Sequence, residues 1–480
     1  MPGTTEARND FDWQGNSPGG LRRVRKVVNG QAQELAVSGL RALPGIGKRF
    51  DRPRRVILRA SGLRMYAWAR APYGSRGKPE NLREIPRDYV NENKERIPFL
   101  GLREYWYPAL RAKRLRHNQT ELVTLCGENI VLFRDEHSRV RALAAECPHR
   151  KSLLSLGQVG VFRPGTITCR YHGVTLDGEG QCVAILSDGP DSPGVGKLRA
   201  RSYPTDEAGG IIWIYMGERE PKPVLDAVPH ARDFLLADSL TVFNSEFPFS
   251  FLSLTDNFLD MAHANVLHHS CVAFIHQKLW DDTRVEELEC GGLHGYFEHS
   301  DPDKPNATQG YAHEVHFDLP SSLIVPASAG TAEPIWVWGV PTAVDKHSVW
   351  GFIPCNGSRA RRAIWGVYGA IQNAPFAVWP GSTRLCVLGG DAAMQGSQGA
   401  VPIWSTDRLM RQDRGVTRVR KMLMDAHKRE LAERGSTDAA RRKEREAQSG
   451  NGASGEAQAR GNGASEPSPH DAQGSAAPGP

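Results

Sequence analysis

The sequence predicts an α+β protein, and three stretches carry that prediction. Residues 101–218 are short β-type runs separated by turn signals. Residues 219 to about 385 mix strands with at least one helix, around 253–269. A charged, amphipathic stretch with few breakers, Thr406 to Arg434, predicts a long closing helix.

The elements follow in order. Residues 1–100 read as a basic N-terminal extension rich in Arg, Pro and Gly, with only short apolar pieces such as VVNGQ and RRVILRA. Within it, LRALPGIGKRF resembles the hairpin of a helix-hairpin-helix DNA-binding motif. Pro53 stands where the second helix would continue and would break it, so the stretch reads as a surface turn. ELVTLCG, NIVLFRD and VRALAAE predict antiparallel strands, with DEHS as a turn, and GGIIWIYMG closes that region with an apolar strand. IWVWGV and AIWGVYGA predict strands of the second region. Residues 435–480, rich in Gly, Ala, Ser and Pro and without aromatics, read as a disordered low-complexity tail.

Composition narrows the function classes. A chain of 480 residues with 40% hydrophobic and 24% charged side chains can build two sizeable cores. A net charge of +6 is too small to argue for nucleic acid. No run approaches the roughly 20 apolar residues of a membrane helix. The N-terminus lacks the apolar core of a signal peptide and carries Glu6, Asp10 and Asp12, which argues against a transit peptide. Eight cysteines without tight pairing do not form a secreted disulfide framework, so a cytoplasmic location is expected.

Two clusters carry metal chemistry. The first is Cys147-Pro-His149 followed by Cys169-Arg-Tyr-His172. Thiolates and imidazoles at this spacing bind a metal centre. Zinc sites usually pair C-x₂₋₄-C with H-x₃₋₅-H. Here each stretch contributes one Cys and one His, which suits a two-iron cluster with two sulfurs on one iron and two imidazoles on the other. The other cysteines, Cys126, Cys182, Cys271, Cys290, Cys355 and Cys386, have no partner motif and read as structural.

The second cluster is Asn257-Phe-Leu-Asp260-Met-Ala-His263, then His268 and His269. A helix would put Asp260 and His263 on one face. His268 lies about 140° further round an ideal helix, so the helix must distort or end near Leu267 for both imidazoles to reach one ion. Read alone, the stretch is also compatible with a helix bearing surface histidines.

The segment ECPHRKSLLSLGQVGVFRPGTITCRYHGVTLDGEGQCV resembles the Rieske domain of ring-hydroxylating oxygenases, with parts closest to carbazole-dioxygenase-like and phthalate-dioxygenase-like chains. The resemblance makes Cys147, His149, Cys169 and His172 the ligands of a [2Fe-2S] cluster, with a somewhat longer gap between His149 and Cys169. Respiratory Rieske loops carry an extra cysteine pair and a serine that donates to the cluster. The loop residues here are Arg150, Lys151 and Gly173, so fewer hydrogen bonds to sulfur and a low potential are expected.

The pattern N-x-x-D-x-x-H-x₄-H resembles the mononuclear iron helix of the same family. That likeness makes His263 and His268 ligands of Fe(II), with His269 the neighbouring alternative. A facial triad needs one carboxylate and leaves positions open for O₂. LGGDAAMQGSQGAVPIWSTDRLMRQD, similar to phthalate-dioxygenase-type chains, places Asp391 in that role at the start of the last helix, with Asp407 and Asp413 as rivals. By the same resemblance, Asp260 bridges His263 to His172 of a neighbouring subunit in a homotrimer; otherwise it only orients His263.

The resemblance implies a β-rich Rieske domain at 101–218 and a helix-grip catalytic domain at 219–434. It implies oxidation of an aromatic or polycyclic organic substrate by O₂. Monohydroxylation, demethylation or oxidative cyclisation would use the same ligands, and the long extension suits a biosynthetic role. No flavin or nicotinamide fingerprint is present, so electrons from NAD(P)H would arrive through a ferredoxin or ferredoxin reductase.

Overall fold

The computed structural model describes residues 87–260, 262–263, 267, 282–288, 291–298, 314–325, 333–355, 363, 367 and 387–457. Helix α1 (Arg87–Asn93) precedes the first strands. Ile97, Phe99 and Leu102 pack with Phe251, Leu252 and Leu423, so the end of the expected extension belongs to a core. The DNA-motif-like stretch at 40–50 lies outside the described residues.

The first region is built from antiparallel strands. These are β1 (Trp106–Arg111), β2 (Glu121–Leu125), β3 (Glu128–Arg134), β4 (Val140–Ala144), β5 (Gln158–Val159), β6 (Ile167–Thr168), β7 (Val174–Leu176), β8 (Cys182–Ile185), β9 (Ser202–Tyr203), β10 (Thr205–Ala208) and β11 (Ile211–Tyr215). They form sheets ordered β2-β3-β4-β9, β5-β6-β7-β8 and β1-β11-β10. The DEHS turn holds because the buried Asp135 carboxylate accepts the N–H groups of His137 and Arg139, each at 2.9 Å. The long gap between His149 and Cys169 contains β5 and the loop 160–166 that returns to β6.

Two short helices, α2 (Val224–Ala227) and α3 (Ala231–Leu235), lead to β12 (Leu240–Phe247) and helix α4 (Phe251–Phe258). Strands β13 (Asp282–Glu287), β14 (Leu293–Glu298), β15 (Glu314–Asp318), β16 (Ser322–Val325), β17 (Ile335–Ala343) and β18 (Lys346–Pro354) follow. Together they make a seven-stranded antiparallel sheet ordered β12-β18-β17-β16-β15-β14-β13. Helices α5 (Val387–Ser397) and α6 (Arg414–Ala457) end the described chain. This is the α+β architecture expected.

Alternation along β17 shows why the sheet is covered twice. Trp336, Trp338 and Val340 join a core with Trp213 of β11 and Phe234 of α3. Val337 points the other way, to Phe258 of α4, Ala392 of α5 and Val419 of α6. Helices α4, α5 and α6 therefore lie on one face, and the first region with α3 on the other.

Three expectations need correction. The closing helix begins at Arg414 rather than Thr406, and it runs to Ala457, into the stretch read as a tail. Residues 437–448 are rich in Ala, Arg, Lys, Glu and Gln, strong helix formers that outweigh the low complexity. Ala363 and Val367, the described residues of AIWGVYGA, are helical rather than extended. A short apolar run does not separate the two conformations by periodicity.

Candidate metal centres

The two Cys–His stretches fold into one repeated backbone unit. The Cys147 amide donates to the Ser152 carbonyl at 2.9 Å, and the Cys147 carbonyl accepts from Lys151 N–H at 2.9 Å. The Cys169 amide donates to the Val174 carbonyl at 2.8 Å, and the Cys169 carbonyl accepts from Gly173 N–H at 3.0 Å. Both fifth residues are left-handed, Lys151 at φ 63° and Gly173 at φ 71°. At 173 glycine is required twice over, because a Cβ there would stand 2.4 Å from Leu186 Cβ.

Each reversal aims the N–H groups two and three residues on at its own sulfur: His149 and Arg150 at Cys147, Tyr171 and His172 at Cys169. The loops leave β4 and β6 and place both sulfurs in one core with Phe133, Leu143 and Ile167. The imidazoles instead lie outward, with ring centroids 4.8 Å apart. Buried sulfurs on one side and accessible imidazoles on the other fit a two-iron cluster with unlike ends.

Burial pushes the Cys147 thiol up to about 11. Cys169 is also buried, but hydrogen bonds from Ser152, the loop amides and Cys147 hold it below its ordinary value. The Ser152 hydroxyl lies 3.2 Å from the Cys169 sulfur. A serine donor is therefore present, contrary to the expectation from the motif. It was missed because Ser152 sits one residue beyond the loop residues compared, where the reversal brings it back over Cys169.

The second cluster is assembled from distant segments. Helix α4 starts on Ser250, whose hydroxyl accepts Leu252 N–H, and it ends at Leu259. Asp260 and His263 thus do not share one continuous helix. Asp260 instead follows the end of α4, and its Oδ1 accepts the His263 N–H at 3.3 Å, in the manner of a cap. The His263 Nδ1–H donates to the Asp260 carbonyl. That leaves Nε2 as the donor atom for a metal, 3.3 Å from Asp391 Oδ1 and 3.2 Å from Asn257 Nδ2. His268 and His269 lie outside the described residues.

Asp391 is buried within α5 rather than at the start of the last helix. Its rivals are engaged elsewhere. Asp407 Oδ2 binds Arg420 at 2.6 Å, and Asp413 Oδ2 accepts Met410 N–H at 2.5 Å. Burial opposes a charge on His263, but Asp391 and Asp260 outweigh it and raise the imidazole to about 9. A buried site that binds a proton so firmly is also suited to a cation held by Nε2 and the carboxylate.

A cavity of about 780 Å³ opens beside His263, Asp260, Asn257 and Gln395. Gln395 is 4% exposed, and neither polar atom of its amide has a hydrogen-bond partner among the described residues. One turn beyond Asp391, it is available to a polar group of a bound molecule. The motif offered no signal for it. Beneath the cavity, Arg420 grips Asp256 at 3.0 and 2.7 Å, and Trp404 Nε1 donates to the same carboxylate at 3.1 Å. Burial lifts Asp256 to about 6 against the pull of Arg420.

Residues 105–201 match the family model of the Rieske [2Fe-2S] domain. The chain carries a Rieske [2Fe-2S] domain. The Rieske chain is 28% identical to the 3-chlorobenzoate-3,4-dioxygenase oxygenase subunit of Comamonas testosteroni, over 55% of this chain and 62% of the relative. It is 34% identical to the chloroplastic chlorophyllide a oxygenase of Chlamydomonas reinhardtii, over 36% of this chain and 25% of the relative. The chain therefore spans less than two thirds of these relatives. The terminal oxygenase of carbazole 1,9a-dioxygenase from Novosphingobium sp. KA1 shares the fold, with TM-score 0.53 and 22% identity over 70% of this chain and 97% of that one. The resemblance to ring-hydroxylating oxygenases is borne out by the domain and by these likenesses. No described helix is long and apolar enough to cross a membrane.

Proposed function

We propose that the chain is the oxygenase component of a Rieske-type system, oxidising an aromatic or polycyclic substrate with O₂ and externally supplied electrons. The observation that carries this reading is His263 Nε2 facing Asp391 beside a cavity, in the same chain as the Rieske loops. Cys147, His149, Cys169 and His172 would hold the [2Fe-2S] cluster; His263, His268 and Asp391 would hold the mononuclear iron. The cluster supplies one-electron transfer, and the mononuclear ion supplies O₂ activation.

The chain's own residues do the rest. Asp260 fixes His263 through its backbone carbonyl, which holds Nδ1 and turns Nε2 toward Asp391 and the metal position. Its carboxylate, 32% exposed, can accept from His172 of a neighbouring copy in a homotrimer. Gln395 would orient the polar edge of the substrate. Against His172 lies the exposed Tyr171 ring, with the Arg150 guanidinium over it and Arg170 next in sequence. This apolar, basic patch suits an acidic ferredoxin or reductase carrying electrons from NAD(P)H. A cytoplasmic location fits such a supply.

A second reading, monooxygenation of a biosynthetic substrate, is favoured by the likeness to chlorophyllide a oxygenase. Anaerobically purified protein should hold about three irons and two acid-labile sulfides per chain. With a ferredoxin and reductase it should consume O₂ in step with substrate. A two-to-two ratio that extra Fe(II) does not change would overturn the second centre. Full loading without substrate-linked O₂ uptake would leave an electron-transfer protein.

A further inference from the structure

A second histidine cluster lies on the opposite face of the seven-stranded sheet from His263. Leu293 and Phe317 pair across β14 and β15 and point into the core that contains Phe258 and Leu259. The next pair, His294 and His316, must therefore point to the other face. Their rings stack with centroids 4.7 Å apart. Glu314, two residues before His316 on β15, shares that face, and its Oε2 is 3.9 Å from His294 Nε2. His294 Nε2 is shielded from solvent and has no hydrogen-bond partner among the described residues.

We propose that His294, His316 and Glu314 form a separate site for a divalent transition-metal ion of the zinc type. One donor atom from each of the three residues lies within 4.8 Å of the others. Two atoms bound tetrahedrally to one ion at about 2.1 Å stand about 3.4 Å apart, so side-chain shifts of about 1 Å would close the set. Two imidazoles and one carboxylate suit zinc, and leave a fourth position for water. A bare stacked pair with an unsatisfied shielded nitrogen is costly, whereas an ion satisfies both rings at once.

The surroundings add orientation. His230, at the start of α3, places its ring 6.4 Å from that of His316, and its Nε2 is 3.6 Å from Asp318 Oδ2. Asp318 is 3% exposed, and that oxygen has no hydrogen-bond partner among the described residues. A second imidazole–carboxylate pair thus stands next to the first. Helix α3 lies just past the Rieske region, so an ion here would tie this sheet edge at the point where the linking segment arrives.

The test is zinc uptake by the iron-loaded full chain after equilibrium dialysis, with iron and sulfide counted on the same samples. The expected result is one zinc per chain above the iron, with iron and sulfide unchanged. Affinity should fall about tenfold or more in His316→Asn and in the half-exposed Glu314→Gln, which is the variant least able to disturb folding. Uptake in both variants equal to that of the wild type would overturn the proposal. So would zinc gained only as iron is lost, because the ion would then sit in the iron centre.

Discussion

The two candidate iron centres are built in opposite ways. The Rieske loops place all four donors between residues 147 and 172, on two copies of one backbone reversal. The second centre joins His263, just beyond α4, to Asp391 in the middle of α5, far along the chain. The first needs only local turns and a small core around its sulfurs. The second exists only when α4, α5 and α6 are packed on the seven-stranded sheet, with Arg420 of α6 gripping Asp256 of α4. A local centre tolerates damage elsewhere, whereas a long-range centre depends on the whole domain.

The largest expected effect separates them by metal count. Cys169→Ala should reduce iron from about three to about one per chain and abolish sulfide. Asp391→Ala should reduce iron from about three to about two and leave sulfide at two. Substrate-linked O₂ uptake should fall more than about 100-fold in both, since each would remove a proposed direct ligand. Loss of sulfide from Asp391→Ala would show that the two centres are not independent.

This difference also explains what the sequence made legible. The four Rieske donors could be read because the reversal forces Cys and His into a fixed local spacing. His263 was reached through the resemblance, since read alone its stretch also suits a helix bearing surface histidines. Asp391 was proposed only through resemblance, because nothing local links a helix carboxylate to a histidine more than a hundred residues earlier. Ser152 and Gln395 were missed: their roles arise where chain reversal or helix packing aims a side chain, and composition carries no trace of that. Most strands were legible from β-type runs between turn signals, AIWGVYGA excepted, but the break after Leu259 was not, since Asp260 reads equally well inside a helix or as a cap.

Gly173→Ala strikes the local unit itself. A left-handed alanine costs about 1–2 kcal/mol, and the overlap with Leu186 about 1–3 more. The melting midpoint should fall accordingly, with sulfide lost before the mononuclear iron. Equal loss of both metals would mean that the loops are less autonomous than their hydrogen bonds indicate.

Acid should strike the other centre first. His347 is buried on β18 and holds the Phe249 carbonyl at 2.7 Å, directly before the residue that caps α4. Burial lowers its imidazole to about 4. The unfolded chain takes up that proton near 6.5, so the folded state binds fewer protons between the two values. Stability is therefore full above about pH 6.5 and declines as pH falls toward 4, by about 3 kcal/mol from this group. Denaturant melts across pH 4–7 should show this slope in the wild type and a flatter one in His347→Gln. An unchanged slope would place the acid sensitivity elsewhere.

The smallest expected effect tests the hydrogen bond that the motif did not foretell. Ser152 donates to a sulfur that carries more negative charge when the cluster is reduced, so the bond favours the reduced state. Ser152→Ala should lower the reduction potential by about 40 mV, the one-electron equivalent of about 1 kcal/mol for a single hydrogen bond. Ser152→Thr, which keeps a hydroxyl at that position, should stay near the wild-type value. The mononuclear iron content should not change in either variant. A potential that Ser152→Ala leaves unmoved would mean that the loop amides alone set the charge on Cys169, and that the hydroxyl shapes the loop rather than the redox couple.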